Sequence, residues 1–268
     1  MWVISDTVYV IKKEMKNVKI SAVLITLNEA RIIERALDAI SWCDEILIVD
    51  SGSTDHTTGL CKDRGCRVLY HPFQGYGKQK RFAVSQATHD WILAIDADEV
   101  VTVELREEIV NALSNNANYA GFYLPRTLVF LGREFSHGSE CKRPILRLFN
   151  RKYGNFSDVP VHEGVELRGS AKTLRGTLLH YSYRDVAHYL SKFNTYTSLA
   201  AKQLYDRGKT THQITIVLRL PIRFLHFYLL KGNFLNGFPG FVWSLLSGFY
   251  PVVKYLKLYE LSQQRSDP

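Results

Sequence analysis

Three apolar runs, each ending abruptly in acidic or amide side chains, constrain this chain more than any other feature. "VKISAVLITL" (18–27) stops at Asn28 and Glu29, "EILIVD" (45–50) ends on Asp50, and "DWILAID" (90–96) leads into Asp96, Asp98 and Glu99. The runs lack a strict alternation of apolar and polar residues, so they predict strands covered on both faces. Segments of helical periodicity separate them. In "NEARIIERALDAI", Ile32, Ile33, Ala36, Leu37 and Ile40 share one side, and Arg31, Glu34, Arg35 and Asp38 the other. "TGLCKDRG", "GKQKRFAVSQAT" and "VELREEIVNALS" predict further helices, and "CRVLYH" another strand. This alternation predicts an α/β fold built from βαβ units on a mostly parallel, Rossmann-like sheet. Right-handed crossovers place the strand C-termini on one edge, where such sheets bind ligands. The carboxylates therefore converge on one rim.

Within "DADE", residues two apart in an extended segment point the same way, with the small Ala97 between Asp96 and Asp98. Two carboxylates so close stay ionised only beside a cation or hydrogen-bond donors. Hard oxygen ligands suit Mg²⁺ or Mn²⁺, commonly shared with substrate phosphates. Acidic residues at strand ends also serve as turn formers and helix caps. The segment "VDSGSTDHT" bears both readings: Gly52 permits a tight turn, Ser51, Ser53 and Thr54 offer hydroxyls, and Ser53 or Asp55 can cap a helix.

The elements "VLITLNEA", "EILIVDSGSTDHT", "GYGKQKRFAVSQATHDWILAIDADE" and "LRLFNR…VHEGVE" stand in order over most of residues 18–165. Together they resemble family 2 of the inverting glycosyltransferases, with the GT-A fold. Within that family the chain is most similar to bacterial lipopolysaccharide core β-glucosyltransferases. The resemblance implies a donor site of Thr26, Asn28, Glu29, Asp50, Ser51, Gly52, Gln79, Lys80, Asp96, Ala97 and Arg147. In it Asn28 and Glu29 border the nucleotide, Asp50 bonds the base, Gln79 and Lys80 lie near the nucleotide-sugar, and Asp96 faces the ribose or sugar. It further implies that Asp98 holds a divalent metal, Mn²⁺ or Mg²⁺, on the diphosphate, with His180 of "TLLHYSY" as a further ligand. Arg143, Arg147 and Arg151 are candidates to pair with phosphate, Arg147 preferred because buried residues flank it. They equally suit a solvated strand face.

Such chemistry requires neutralisation of the leaving diphosphate and a base that removes the acceptor hydroxyl proton. In "FSDVPVHEGVELRG" (156–169), His162 and Glu163 interrupt an apolar alternation. The resemblance points to Glu163 as base, with His162 positioning it or acting instead, and Asp158 is the reserve. The donor it favours is UDP-glucose, ahead of another UDP-hexose, and the acceptor a lipid-linked glycan such as a lipopolysaccharide core.

The C-terminal third differs in kind. "YRDVAHYLSKFNTYTSLAAKQLYDRG" (183–208) predicts a long helix. In "ITIVLRLPIRFLHFYLL", Arg219, Arg223 and His226 form one polar stripe on an apolar helix. This suits a helix lying in a membrane interface with arginines reaching headgroups. Residues 232–253 carry no charge but hold Pro239, Pro251 and several glycines, a poor spanning helix though long enough for a shallow re-entrant hairpin. Much of the formal charge of +8 falls in this region, where anionic lipid would attract it. The alternative is a helical subdomain packed on the catalytic domain or on a second copy in a homo-oligomer.

The expected organisation is an extension over 1–17, a catalytic GT-A domain over 18–182 and a helical, membrane-interface region over 183–268. Met15 is the expected start, with 1–14 dispensable, because "MWVISDTVYVIKKE" lacks the pattern of a signal peptide. The cysteines show no metal spacing, and reduced thiols fit a cytoplasmic enzyme peripheral or monotopic on the inner face of the membrane. Two other functions compete. A nucleotidyltransferase would want a glycine-rich, lysine-bearing loop where "TLNEARII" stands. An inactive GT-A-fold scaffold on the membrane surface would not need Asp50, Asp96, Asp98 and Glu163 intact. Nucleic acid explains the charge but not the carboxylate rim, and is not an expected partner.

Overall fold

Strand β1 (Ile20–Thr26) is buried along nearly its whole length because both its faces are covered. Ile20, Ala22 and Leu24 pack on one side with Ile33, Ala36, Leu37 and Ile40 of helix α1 (Ile33–Ile40). Val23 packs on the other, among Ala83 and Val84 of α3 (Tyr76–Gln86). Full burial of an aliphatic side chain of this size contributes about 1.5–3 kcal/mol, so the stripe on α1 fixes that helix to the sheet. The computed structural model describes residues 18–115, 118–158 and 164–264. The N-terminal extension, the expected start at Met15, and His162 and Glu163 lie outside the described residues.

β1 is flanked in parallel by β2 (Glu45–Asp50) and β4 (Trp91–Ala94), and β3 (Arg67–Tyr70) adds to β2 in the same sense. Helices α1, α2 (Thr57–Asp63) and α3 make the crossovers. After β5 (Glu99–Val101) and α4 (Val103–Asn115), the pattern changes. β6 (Gly121–Phe130) and β8 (Arg143–Asn150) are antiparallel to each other, and β8 is antiparallel to β4. The sheet runs β3-β2-β1-β4-β8-β6-β12-β5, with β12 being Leu178–His180. It is thus parallel from β3 to β4 and antiparallel at the β4–β8, β8–β6 and β12–β5 pairings. No helix lies between β6 and β8, only the short β7 (Arg133–Glu134), and a connection without a crossover can only return antiparallel. Beside this sheet, β9 (Gly154–Phe156) and β10 (Val165–Leu167) form an antiparallel pair, and β11 (Ala171–Thr173) joins the start of β6.

The chain forms two compact units: one contains residues up to Arg126 with Lys142–His180, the other Thr127–Cys141 with the residues from Tyr181 on. The second unit begins earlier than the sequence pattern suggests. Leu128, Phe130 and Phe135 form its core with Tyr189 and Phe193, packed by Tyr183 and Trp243. Its helices are α5 (Val186–Asp206), α6 (Gln213–Leu225) and α7 (Gly237–Gln264). Asp185 caps α5 by accepting from the His188 N–H at 2.7 Å. α6 continues through a π-type turn at His226–Leu230, and a 3₁₀ turn at Asn233–Asn236 leads into α7. The uncharged stretch around 232–253 is therefore mostly one long helix, which continues past Pro251. α6 and α7 approach closely at Gly248, where a Cβ would lie 3.1 Å from the Phe224 amide nitrogen. Arg219 stacks 3.9 Å from the centroid of Tyr255, so this member of the polar stripe lies against α7.

Candidate active site

The part of the rim that follows β1 and β2 is organised around Asp50, the last residue of β2. Its Oδ1 accepts the backbone N–H groups of Gly52 (2.9 Å) and Ser53 (2.8 Å), and its Oδ2 accepts the hydroxyls of Thr26 and Ser53. A carboxylate has about four lone-pair positions, and this turn fills them. Burial pushes the Asp50 carboxyl up, but the bonds from Ser53, Gly52 and Thr26 outweigh it and hold it below the usual range. Asp50 therefore shapes the loop after β2, with Thr26 buried beneath it. Gly52 adopts φ 105°, a conformation open to glycine alone at little cost. The neighbouring loop is joined to this one by Asn28, at φ 57°, whose Oδ1 accepts from the Thr54 N–H at 2.8 Å. The Asn28 N–H donates to Ser53 and the Glu29 N–H to Thr57, both at 2.8 Å.

Gln79 departs from the expectation of a residue near the sugar. It is wholly buried, and its amide is engaged by the Ser51 hydroxyl (3.0 Å), the His71 carbonyl (2.9 Å) and the His71 ring (2.9 Å). The cause is helical phase: α3 turns Gln79 inward with Ala83, under the loop after β2. It supports Ser51 from below.

The acidic side separates into two groups. Asp96 is held by Lys80 at 3.0 Å and by Arg147, which also bonds Glu99 at 2.9 Å. Burial raises the Asp96 carboxyl, but Arg147 and Lys80 hold it well below the usual carboxylate range. Arg147 is itself buried, and its guanidinium is committed to Asp96 and Glu99. The reason is a β-bulge. Phe122 pairs with Leu148 and Tyr123 with Leu146, leaving Arg147 as the extra residue of β8. Bulges re-aim side chains, and this one turns Arg147 towards the two acids. Ala97 is buried between the acidic positions.

Asp98 belongs to the other group. β12 runs antiparallel to β5 with His180 opposite Glu99, and this register brings the His180 Nε2 within 3.4 Å of the Asp98 Oδ2. Both side chains keep some exposure to solvent. Neighbouring ligands about 2.1 Å from one octahedral cation lie roughly 3 Å apart. Oxygen and imidazole donors at this spacing fit a divalent ion such as Mn²⁺. Among the described residues no three His, Cys, Asp or Glu side chains group as a cation site.

Two residues missing from the expected donor site stand within it. Glu99 is wholly buried and joins Arg147, Arg126 and the Asp96 N–H. Arg126 lies in the apolar run "YLPRTLVF", where a lone charge is the signal that could have identified it. Asp158, the reserve base, is exposed just before the 159–163 segment. Cys61 and Cys66 are buried in the core, and burial pushes the Cys61 thiol up to about 12.

Residues 21–170 match the model of glycosyl transferase family 2. The lipopolysaccharide core biosynthesis glycosyltransferase LpsC of Rhizobium meliloti is 32% identical over 256 residues, covering 93% of this chain and 95% of the relative. An uncharacterized glycosyltransferase of Rickettsia typhi is also 32% identical, over 91% and 88%. Among solved structures, glucosyl-3-phosphoglycerate synthase of Mycobacterium tuberculosis with Mn²⁺, UDP-glucose and phosphoglyceric acid matches 47% of this chain and 48% of that one, at 25% identity and a TM-score of 0.38. S. aureus TarS matches 92% of both chains at 14% identity and a TM-score of 0.46. With its GT-A sheet and this match over more than half its length, the chain belongs to glycosyl transferase family 2.

Proposed function

We propose that this glycosyltransferase is metal-dependent and inverting, and moves glucose from UDP-glucose to a lipid-linked glycan of the lipopolysaccharide core type. The observation that carries the metal-dependent donor site is the Asp98–His180 pair, 3.4 Å apart on the carboxylate rim beside a loop already ordered by Asp50 and Asn28. Asp98 and His180 would hold the cation. When bound, it supplies positive charge against the diphosphate leaving group. The loops of Asn28 and Ser51–Thr54 receive the nucleoside, and Lys80, held by Asp96, adds a fixed positive charge on the same rim. Glu163, with His162 positioning it or acting instead, is the proposed base that accepts the acceptor hydroxyl proton as the glycosidic bond to the diphosphate breaks.

The acceptor class draws support from the likeness to LpsC and from the second unit. Residues 213–230 form a helical stretch of mean hydropathy 1.3, long and apolar enough to cross a membrane, yet only 6% of it is buried. Ile214, Leu218, Ile222, Leu225 and Leu229 form an exposed apolar stripe at helical spacing, with Arg223 and Lys231 exposed beside it. A face of this kind suits the headgroup–acyl boundary of a bilayer, here the inner face of the cytoplasmic membrane.

The test is calorimetric titration of UDP into the purified protein with Mn²⁺ and then with EDTA. Binding that requires Mn²⁺, and that Asp98→Ala weakens by at least about tenfold, is the expected result. Binding indifferent to metal, or unchanged in the variant, would overturn the donor site.

A further inference from the structure

Arg126 occupies a position that the proposed chemistry has not used. It lies on β6, which stands in the sheet between β8, carrying Arg147, and β12, carrying His180. Its Nη1 reaches the Glu99 Oε1 at 3.3 Å, the same oxygen that accepts from Arg147 at 2.9 Å. Glu99 directly follows Asp98 and pairs in register with His180, so the residue that Arg126 bonds is the backbone neighbour of one member of the Asp98–His180 pair and the strand partner of the other. The two arginines differ in access. The Arg147 side chain is 4% exposed and that of Arg126 is 20%.

The contacts point the same way. Lys80, Arg126 and Arg147 face two carboxylates, Asp96 and Glu99. Of these contacts the one made by Arg126, at 3.3 Å, is the longest, and Arg126 is the more accessible arginine. Glu99 engages Arg126 through one terminal nitrogen among the described contacts, which leaves the guanidinium fork geometry suited to two phosphate oxygens.

Building on the donor site proposed above, we infer that Arg126 is the arginine that binds the diphosphate of the donor, and that Glu99 positions it. Arg147 is the internal counter-charge to Asp96 and Glu99. The single carboxylate oxygen shared by both arginines links the two functions: Glu99 aims Arg126 while bound to the buried Arg147.

The experiment titrates UDP, UMP and uridine, each with Mn²⁺, into the wild type, Arg126→Ala and Arg126→Lys, with thermal unfolding as a check that each variant is folded. Arg126→Ala should weaken UDP by about tenfold or more and leave uridine within about twofold. Arg126→Lys keeps the charge without the fork and should fall between. Glu99→Gln should weaken UDP in the same phosphate-dependent way, a pattern that general destabilisation would not give. UDP affinity unchanged in Arg126→Ala, beside a wild type that binds, would overturn this inference alone. An equal loss for uridine and UDP would also overturn it, by assigning Arg126 to the fold. A wild type that binds no UDP would overturn the donor site and this inference together.

Discussion

Arg126 and Arg147 meet the same carboxylate from neighbouring strands, and their surroundings assign them opposite work. Arg147 is buried among Asp96 and Glu99, and its Nε has no partner among the described residues. Removing one member of a buried ion cluster costs roughly 3–5 kcal/mol, because the charges left behind have lost their compensation. Arg147→Ala should therefore lower the unfolding free energy measured in urea by an amount of that order, and an unchanged value would show that the cluster does not support the fold. The sequence made the acids legible: Asp50, Asp96 and Asp98 each follow an apolar run that has to be a strand. It did not reveal which charges compensate one another. Arg147 reads equally as a phosphate partner and as part of a solvated strand face; the bulge in β8 that turns it towards the acids depends on the register of two strands, which no local pattern carries. Gln79 misled for a related reason, since its place near the sheet edge was legible but its inward phase on α3 was not.

Among the elements, the parallel strands were the most legible because their apolar runs are continuous. The antiparallel half was harder to read, with Pro125 and Arg126 interrupting β6. The strand starts opposite the candidate active site also carry a polar hub. The Glu45 carboxylate, at the start of β2, accepts from Ser21 on β1, Arg67 on β3, and the N–H and hydroxyl of Thr88 before β4. Burial raises the Glu45 carboxyl, but the bonds from Ser21, Thr88 and Arg67 outweigh it and hold it below its ordinary value. A group depressed in the folded state stabilises fully above its unfolded pKa of about 4.3 and loses that contribution as pH falls through the folded value. Glu45→Gln should thus be less stable than the wild type near pH 7, and the gap should narrow as pH falls below about 4.3. Urea midpoints measured across that range would check it, and parallel curves would remove Glu45 as a source of acid sensitivity.

At the scale of the whole molecule, the net charge of +8 and the apolar outer stripe of α6 belong to one expectation. Flotation with vesicles should show binding that is stronger to anionic than to zwitterionic lipid and weakens as salt rises. Leu218→Asp with Ile222→Asp should lower partition by at least about tenfold. Equal flotation by this double variant would place the lipid contact elsewhere or remove it. The same stripe also governs how the protein behaves in plain buffer. Water is a poor solvent for a helix apolar on two faces, and the nearest substitute for lipid is another copy of the chain. Oligomers seen without lipid or detergent should therefore dissociate when either is added, so the mass measured in buffer alone describes the solvent as much as the protein.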